Sequence, residues 1–301
     1  MNACMHSEKL HRMTDEEISR LQQHLREMYL DVEQVCNRHN LNMMLGFGNV
    51  IGALRHQGFI PWDDDVDLLM PRKDYDAFIH QYAEELPSKY KIFAPNSKNA
   101  PIYRFAKVVD TSTKFITPLT DSDSESSGIY IDIFPLEFSP INKIHIRMRQ
   151  VIGSFIMLVA SSVDELTRGK GLYKTLMCST LSGKLVYHIR SLIGFCFSFL
   201  DAKTWFNLFD RFANYNKDNG GFVIPSSGHS IKQFSPLPKD VFLPAKRMKY
   251  DDIEAFVPNM PEKHCEYVFG DWRQIPPPEK RWRHFMVDIQ FGPKDSKKTD
   301  S

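Results

Sequence analysis

Apolar residues recur every three or four positions in the first strongly patterned segment, residues 14 to 38. Thr14 and Glu17 stand at the spacing of a capping box, in which two side chains satisfy the free amides of a helix start. The periodic apolar positions are Leu21, Leu25, Met28, Val32 and Val35. This pattern predicts an amphipathic helix from about Thr14 to Arg38 that buries one face.

Short runs of β-branched, aromatic and aliphatic residues follow, bounded by glycine, proline and polar residues, and these features predict β-strands. The predicted strands are 41–47, 66–70, 90–94, 103–110, 114–117 and 129–134, the last ended by Pro135. Two helices are predicted between them. One runs from Asn49, as its N-cap, to Gly58, and the other begins near Pro71.

Strands and helices alternate up to about residue 140, which predicts an α/β (α+β) fold with a mixed sheet. We expect three parts: a core over 1–140, an inserted helical region over 141–220, and a segment over 221–301 that completes the site. The last part is rich in proline and aromatic residues and shows little periodicity. A disordered tail is predicted from about residue 292.

The most apolar stretches are VIGSFIMLVASSV (151–163) and SLIGFCFSFL (191–200). Both are shorter than the roughly 20 residues that a membrane-spanning helix needs. We therefore predict core helices here, with a helix on a membrane surface as the alternative.

Composition narrows the class of protein. The chain has 301 residues, 42% of them hydrophobic, and a net charge of +1, which is typical of a globular protein and gives no general attraction to nucleic acid. Its five cysteines are odd in number and lack CxxC spacing, which argues against a disulfide framework and a cysteine zinc site. No signal peptide is expected, because the N-terminal residues lack an apolar core. The simplest expectation is a cytoplasmic protein with reduced thiols.

Four aspartates in five positions, Asp63, Asp64, Asp65 and Asp67, precede the apolar run LLM. On a strand, Asp65 and Asp67 point to one face. Paired carboxylates suit Mg²⁺ or Mn²⁺, which usually share such ligands with substrate phosphates. The alternative is a solvated acidic turn beside a strand.

Two further features support phosphate chemistry. The segment GFGN (46–49) predicts a glycine turn opening a helix, where backbone amides favour phosphate, although such glycines also serve ordinary tight turns. Asp132 stands alone in the apolar strand YIDIF and requires a partner or a cation. A hydrogen bond from a loop amide would satisfy it equally.

Three ordered blocks resemble the LicD (fukutin-related) family. They are GFGNVIGALRHQGFIPWDDDVDLLMPRKDY (46–75), YIDIFPL (130–136) and EYVFGDWRQIPPPEKRWRH (266–284). The resemblance implies a nucleotidyltransferase-like fold and transfer of a phosphorylated alcohol from a CDP-linked donor to a sugar hydroxyl. In bacteria this is commonly phosphocholine, delivered from CDP-choline to lipopolysaccharide, teichoic acid, capsule or another surface glycan, with release of CMP.

The resemblance also implies roles for particular residues. Asp65, Asp67 and Asp132 would be catalytic and would hold one or two Mg²⁺ (or Mn²⁺) ions, with Asp132 also acting as general base. Gly48 and Asn49 would hold a donor phosphate. Asn49 departs from the family pattern, which usually has Ser or Thr there, and we expect a retuned contact.

Other donor-binding residues are expected around this centre. Basic candidates are Arg55, His56, Lys107, Arg281 and His284, the last two on one face of a helix after the prolines. For Arg55 and His56 the alternative is that they offset the dipole at a helix C-terminus. Asp271 is expected to orient Arg281 or His284, and Asp64 lies in the approach turn. Trp62 is the first candidate for an aromatic contact with choline, followed by Trp272 and Trp282.

Three alternatives stay open from the sequence. The donor is another CDP-linked alcohol, such as CDP-ribitol or CDP-glycerol; the protein is a nucleotidyltransferase that consumes an NTP; or it is a non-catalytic scaffold. Expected partners are the donor and a glycan or lipid-linked glycan acceptor, without nucleic acid. Peripheral contact with the inner face of the membrane is the remaining alternative for 145–210.

Overall fold

The computed structural model describes residues 11–97, 103–117, 126–168, 172–218, 220–223, 235–281 and 285–292. Within these ranges, a curled mixed sheet is covered by helices, which confirms the predicted α+β class. The helices are α1 (Asp15–Arg38), α2 (Phe47–Ile51), α3 (Arg72–Ala77), α4 (Lys143–Arg168), α5 (Leu172–Met177), α6 (Leu181–Cys196), α7 (Ala202–Ala213), α8 (Lys239–Phe242) and α9 (Pro261–Phe269). The strands are β1 (His11–Arg12), β2 (Met44–Leu45), β3 (Asp67–Pro71), β4 (Tyr90–Phe93), β5 (Ala106–Asp110), β6 (Lys114–Ile116), β7 (Ile129–Phe138), β8 (Gly221–Val223), β9 (Leu237–Pro238), β10 (Lys246–Tyr250), β11 (Ile253–Val257), β12 (Phe285–Met286) and β13 (Asp288–Gln290).

The main sheet has the strand order β2-β3-β7-β5-β4, with β8 and β9 continuing from the far end of β7. Only the β3–β7 pair is parallel among these described pairings; the others are antiparallel. Smaller pairings join β12 to β1 and β13 to β6, so the C-terminal segment returns to the N-terminal part of the chain. The predicted boundaries at 140 and 220 stay a prediction.

Helix α1 follows the sequence pattern closely. Thr14 accepts the amide of Glu17, and Glu17 accepts the amide of Thr14 in return, so the predicted capping box is present. The predicted apolar face lies in the core at 2% exposure or less. Periodicity and capping were enough here because both act locally.

Strand β7 is longer than predicted, because it continues through Pro135 to Phe138. Proline lacks an amide hydrogen and is tolerated where one side of a strand is unpaired. The described pairing with β5 ends at Ile133, while β3 continues along the other side as far as Leu136. Pro135 therefore lies where β7 has a locally open side.

Two elements of the last third, the β10–β11 hairpin and helix α9, were not predicted from the sequence. Helix α9 has Pro261 at its first position and Gly270 at its end, which are ordinary start and stop residues. The hairpin turns at Asp251, which has φ of +55°. Both sequences hold recognisable turn residues, but their apolar positions are too few to show a period.

The helical region joins the core through a buried ion-pair network. Arg72 at the start of α3 contacts Glu137 of β7, and it donates to Asp210 of α7 at 2.8 Å and to Asp76 at 3.1 Å. Glu137 is fully buried. Buried charges are tolerated only when they are paired. This network therefore fixes the position of α7 relative to the sheet.

The apolar stretch 151–163 lies within α4, whereas 191–200 begins in α6 and continues beyond the end of that helix at Cys196. The inner faces of α4 and α7 form a separate core that includes Met157, Val159, Trp205 and Phe209. Lys143–Thr167 is long and apolar enough to cross a membrane by length and composition alone. The prediction of core helices is therefore correct for only one side of α4. The four cysteines that the structure describes are all free thiols.

Candidate active site

Three charged side chains lie side by side across the sheet. Asp67 on β3 is paired with Asp132 on β7, and Asp132 is paired with Lys107 on β5. The Nζ atom of Lys107 lies 2.6 Å from Oδ1 of Asp132. Two carboxylates and one ammonium thus form a row on one face of the sheet.

Alternation along the strands explains this row. Leu68, Ile131 and Ile133 are completely buried in the main core, on the side opposite Asp67 and Asp132. The predicted separation of apolar and acidic faces is therefore confirmed. The strand itself begins at Asp67, so Asp65 lies before β3, and the strand alternation assumed for the pair Asp65 and Asp67 does not extend to Asp65.

The turn before β3 contributes a second acidic group. One carboxylate oxygen from each of Asp63, Asp64 and Asp65 lies within 4.8 Å of the others. Oδ2 of Asp63 is buried and has no hydrogen-bond partner among the described residues. A Cβ atom at Gly48 would lie 3.2 Å from this oxygen, so glycine keeps the space beside Asp63 open.

Electrostatics at this centre favours a bound cation. Burial raises the pKa of Asp67 well above its usual range, and the neighbouring charges of Asp65, Asp132 and Asp63 raise it further, although Lys107 opposes them. Burial, followed by Asp65 and Asp64, raises the pKa of Asp63 in the same way. A divalent cation would relieve the repulsion between these carboxylates, and hard oxygen ligands are what Mg²⁺ and Mn²⁺ prefer. The donor set therefore fits such an ion.

Asn49 does not cap the helix that follows it. Helix α2 begins at Phe47 with Gly46 as its N-cap, three positions earlier than the predicted cap, and Asn49 is buried inside it. Its side-chain Nδ2 donates to the carbonyl of Asp65 at 3.0 Å, and its Oδ1 accepts the amide of Asp67 at 2.7 Å. The side chain therefore positions the aspartate segment.

His264 of α9 supports the glycine turn from behind. The amide of Phe47 donates to Nε2 of His264 at 3.1 Å, and Phe47 has the unusual φ of +44°. His264 is completely buried, and burial lowers its pKa to about 4. The neutral ring is therefore the form that accepts this hydrogen bond.

Aromatic rings surround the ammonium group of Lys107. Its Nζ atom lies 3.5 Å from the ring centroid of Tyr130, 5.3 Å from that of Tyr103 and 5.4 Å from that of Phe105. These distances are those of cation–π contacts. The site therefore holds a cation against aromatic faces directly beside Asp132.

Arg55 is occupied by the C-terminal part of the chain. Its NH1 group donates to the carbonyl of Trp272 at 2.8 Å and to that of Gln274 at 3.2 Å, and its Nε donates to Nε2 of His56 at 3.0 Å. These bonds tie the turn after α9 to the helical turn that follows α2. A structural role explains Arg55 better than the predicted donor contact.

The helix predicted to carry Arg281 and His284 does not extend to Arg281. A single turn covers Pro278–Lys280, Arg281 is already extended, and β12 begins at Phe285. His284, like Trp282, lies outside the described residues. The prolines at 276–278 keep this turn from starting earlier, because the residue before a proline disfavours the helical conformation.

Arg281 contacts an aromatic candidate directly. Its guanidinium carbon lies 4.3 Å from the ring centroid of Trp62, beside the aspartate turn. Trp272 is buried in the main core. Asp271 accepts a hydrogen bond from Gln274 at 2.6 Å, and Arg281 donates to the carbonyl of Pro276, so the expected orienting contact is not among those described.

The sequence analysis missed several residues of this site. Tyr130 could have been predicted from the sequence, because it lies two positions before Asp132 and therefore on the same face of β7. Asp63 was read only as part of a turn, and its burial is a tertiary effect. His264 lies 217 positions from its partner Phe47 and gives no pattern of its own.

The glycine turn and the carboxylates on adjacent strands of the mixed sheet lie within one segment of the chain. Residues 40–154 match the family model described as LicD/FKTN/FKRP, nucleotidyltransferase domain. This match contains Asp65, Asp67 and Asp132, and it identifies a LicD/FKTN/FKRP-type nucleotidyltransferase domain over these residues.

The similarity to one curated relative extends beyond this domain. Over 266 residues the chain is 26% identical to the lipopolysaccharide cholinephosphotransferase LicD of Haemophilus influenzae, covering 84% of this chain and 90% of that protein. A shorter match of 50 residues, 34% identical, links 17% of this chain to 19% of an uncharacterized protein of Rickettsia prowazekii.

Proposed function

We propose that this protein transfers phosphocholine from CDP-choline to a hydroxyl group of a cell-surface glycan and releases CMP. The observation that carries the proposal is the similarity to a lipopolysaccharide cholinephosphotransferase along most of both chains. The row of Asp67, Asp132 and Lys107 supports it, because phosphoryl transfer depends mainly on positioning and charge stabilisation.

Asp65, Asp67 and Asp132 are the residues that would hold Mg²⁺ or Mn²⁺. When bound, the ion would neutralise charge on the transferring phosphoryl group and on the departing CMP. Asn49 keeps Asp65 and Asp67 in place through its two backbone contacts. The unpartnered Oδ2 of Asp63 is available to the same cation or to a proton.

In the proposed reaction, the acceptor hydroxyl oxygen bonds to the phosphorus that carries choline. The bond from that phosphorus to the oxygen bridging to CMP breaks, and CMP leaves with the electron pair. Asp132 accepts the hydroxyl proton as general base. This role requires that the hydrogen bond from Lys107 to Asp132 break first. Lys107 is then free to contact a donor phosphate.

The aromatic residues around Lys107 support choline over a polyol donor once Lys107 has moved to a donor phosphate. Tyr130, Tyr103 and Phe105, which now contact the Lys107 ammonium, would then offer aromatic faces of the kind that recognise a trimethylammonium group. CDP-ribitol and CDP-glycerol remain the second candidates, since their polyols would instead use the polar groups of the acidic turn. We also propose action in the cytoplasm, at the inner face of the membrane, where the described free thiols would stay reduced.

The test is CMP release from a panel of CDP-choline, CDP-ribitol, CDP-glycerol and CTP with Mg²⁺ present. The Asp65→Ala/Asp67→Ala double variant removes the predicted metal ligands, and Asp252→Asn, an exposed carboxylate paired with Arg26, is the control. We expect CMP from CDP-choline with the wild type and the control, and none with the double variant. Pyrophosphate from CTP would instead identify a nucleotidyltransferase.

A second measurement covers the case in which hydrolysis without acceptor is too slow to detect. Titration calorimetry would compare binding of the same CDP-alcohols with EDTA and with Mg²⁺. Binding of CDP-choline that depends on Mg²⁺ supports the proposal. Failure to bind any CDP-alcohol would favour a different nucleotide or a non-catalytic scaffold.

A further inference from the structure

The outer face of α4 is an unbroken apolar stripe. Its members are Ile144, Met148, Val151, Phe155 and Leu158, at the three- and four-residue spacing of one helix face. Each side chain is at least 36% exposed. The inner face of the same helix is already packed on α7, so the stripe is not part of that core.

Helix α6 carries a second stripe with the same character. Leu181, Leu185, Ile189, Leu192 and Phe195 recur at helical spacing, and Phe195 is 71% exposed. Among the described residues, sixteen of the twenty-one exposed large apolar side chains lie between residues 141 and 200. Scattered exposed apolar residues are normal, but this concentration marks an interaction surface.

The C-terminal end of α6 meets α4 close to the α4 stripe. The ring of Phe197 lies 5.8 Å from that of the exposed Phe155 on α4 and 6.1 Å from that of the exposed Phe199 beyond α6. A Cβ at Gly194 would lie 2.4 Å from the carbonyl of Ser162, so the helices cross at a closeness that only glycine permits. Gly194 faces α4, and the α6 stripe lies on the opposite side of that helix, so the α6 stripe points away from α4.

Charge indicates what covers the surface. Residues 141–200 contain eight lysines and arginines but only two acidic residues, which leaves the remainder of the chain at −5. Lys143 and Arg147 line a groove on α4 together with Ile144, Met148, Val151 and Ile152, and Lys184 is exposed within the stripe of α6. Apolar side chains interleaved with cations suit the boundary between acyl chains and anionic headgroups.

A second copy of the chain fits this surface less well. Pairing two copies through it would bring together two regions that each carry a net charge of +6. Like charges in apposition disfavour association. A membrane-spanning position for α4 is also disfavoured, because 44% of its most apolar window is buried inside the protein.

We propose that α4 and α6 together form a docking surface that lies on an anionic lipid bilayer, with both helices parallel to the membrane plane. The proposal goes beyond the transfer reaction and does not depend on the donor. It would bring the sheet and its carboxylates to the surface where a lipid-linked acceptor is held.

The experiment is co-sedimentation of the full chain with vesicles of phosphatidylcholine alone or mixed with phosphatidylglycerol. We expect binding to the mixed vesicles that weakens as salt rises. Leu185→Glu/Leu192→Glu should weaken it about tenfold or more, and Lys184→Glu should weaken binding to the mixed vesicles specifically. Leu30→Glu/Ile275→Glu, two exposed apolar positions elsewhere, is the matched control and should bind as the wild type does.

Three results would overturn the proposal. They are wild-type protein remaining in the supernatant with both vesicles, equal binding by the α6 variants and the control, or a dimer in sedimentation velocity that Leu185→Glu/Leu192→Glu converts to monomer without any vesicle binding. CMP release from soluble CDP-choline should be the same in all these variants, so failure of docking is distinguishable from failure of the proposed reaction.

Discussion

The side-chain oxygen of Asn49 accepts the backbone amide of Asp67 at 2.7 Å. The nitrogen of the same side chain donates to the carbonyl of Asp65. One buried amide therefore links the glycine turn to both ends of the Asp65–Asp67 segment. The consequence is that geometry at the acidic centre depends on a residue that carries no charge.

Asn49→Ala should damage both stability and turnover. It leaves the Asp65 carbonyl and the Asp67 amide without their partner, at a cost of about 2 to 4 kcal/mol in unfolding free energy. We expect CMP release to fall about tenfold or more, chiefly in kcat. The reason is that the variant loses the positioning of Asp65 and Asp67 but keeps the residues that contact the donor. Asn259→Ala, which removes one exposed side-chain bond to the Asp240 carbonyl, is the control and should cost about 1 kcal/mol or less.

Asp67→Asn should separate stability from activity. Burial and neighbouring carboxylates disfavour the charged form of Asp67, so a neutral amide should leave the metal-free protein as stable or more stable. Turnover with Mg²⁺ should fall about a hundredfold or more in Asp67→Asn. We expect the same loss of turnover in Asp132→Asn. Thermal unfolding and CMP release on the same preparations measure both. Full turnover in either variant would contradict the assigned roles.

Lys107→Met should make the protein depend on a divalent cation for stability. Asp132 then lacks its ion-pair partner, which should cost about 2 to 4 kcal/mol without metal. Added Mg²⁺ should recover part of that loss, so the rise in Tm on adding Mg²⁺ should exceed that of the wild type. Lys89→Met, which removes a half-exposed partner of Asp110, should respond to Mg²⁺ as the wild type does.

His264 should make stability fall on mild acidification. Its folded pKa is lowered to about 4 from the ordinary value of 6.5, so the unfolded chain binds a proton between these values and the folded chain does not. Unfolding free energy should therefore decrease from about pH 6.5 down to about pH 4, by roughly 3 kcal/mol at most from this residue.

The measurement is urea unfolding at pH 7 and pH 4.5. His264→Gln retains an acceptor for the Phe47 amide but does not titrate, so its loss between the two pH values should be smaller than that of the wild type. His39→Gln, at a more exposed position paired with Glu85, should leave the pH dependence closer to that of the wild type. An equal loss in His264→Gln and the wild type would assign the acid sensitivity to other groups.

Arg72→Met should loosen the helical region from the sheet. It removes the partner of the fully buried Glu137 and of Asp210, and breaking such a network typically costs about 3 to 5 kcal/mol. Urea unfolding checks this value. Lys239→Met, which removes an exposed pair with Asp218, should cost about 1 kcal/mol or less.

Local patterns in the sequence determined much of the fold. Capping and period placed α1, and alternation on β3 and β7 put Asp67 and Asp132 opposite Leu68, Ile131 and Ile133. The three segments 46–75, 130–136 and 266–284 also show the resemblance to the LicD family in the sequence alone. These features act within a few residues, so a sequence displays them directly.

Tertiary structure alone decided how the site is assembled. Strand register brought Lys107 onto Asp132 across a separation of 25 residues, and folding brought His264 under Phe47 and Arg281 over Trp62. It also decided that Asn49 faces backbone groups, and that the stripes of α4 and α6 face outward. The physical reason is that partners distant in the chain are selected by burial and register of the whole fold, and no local period records that choice.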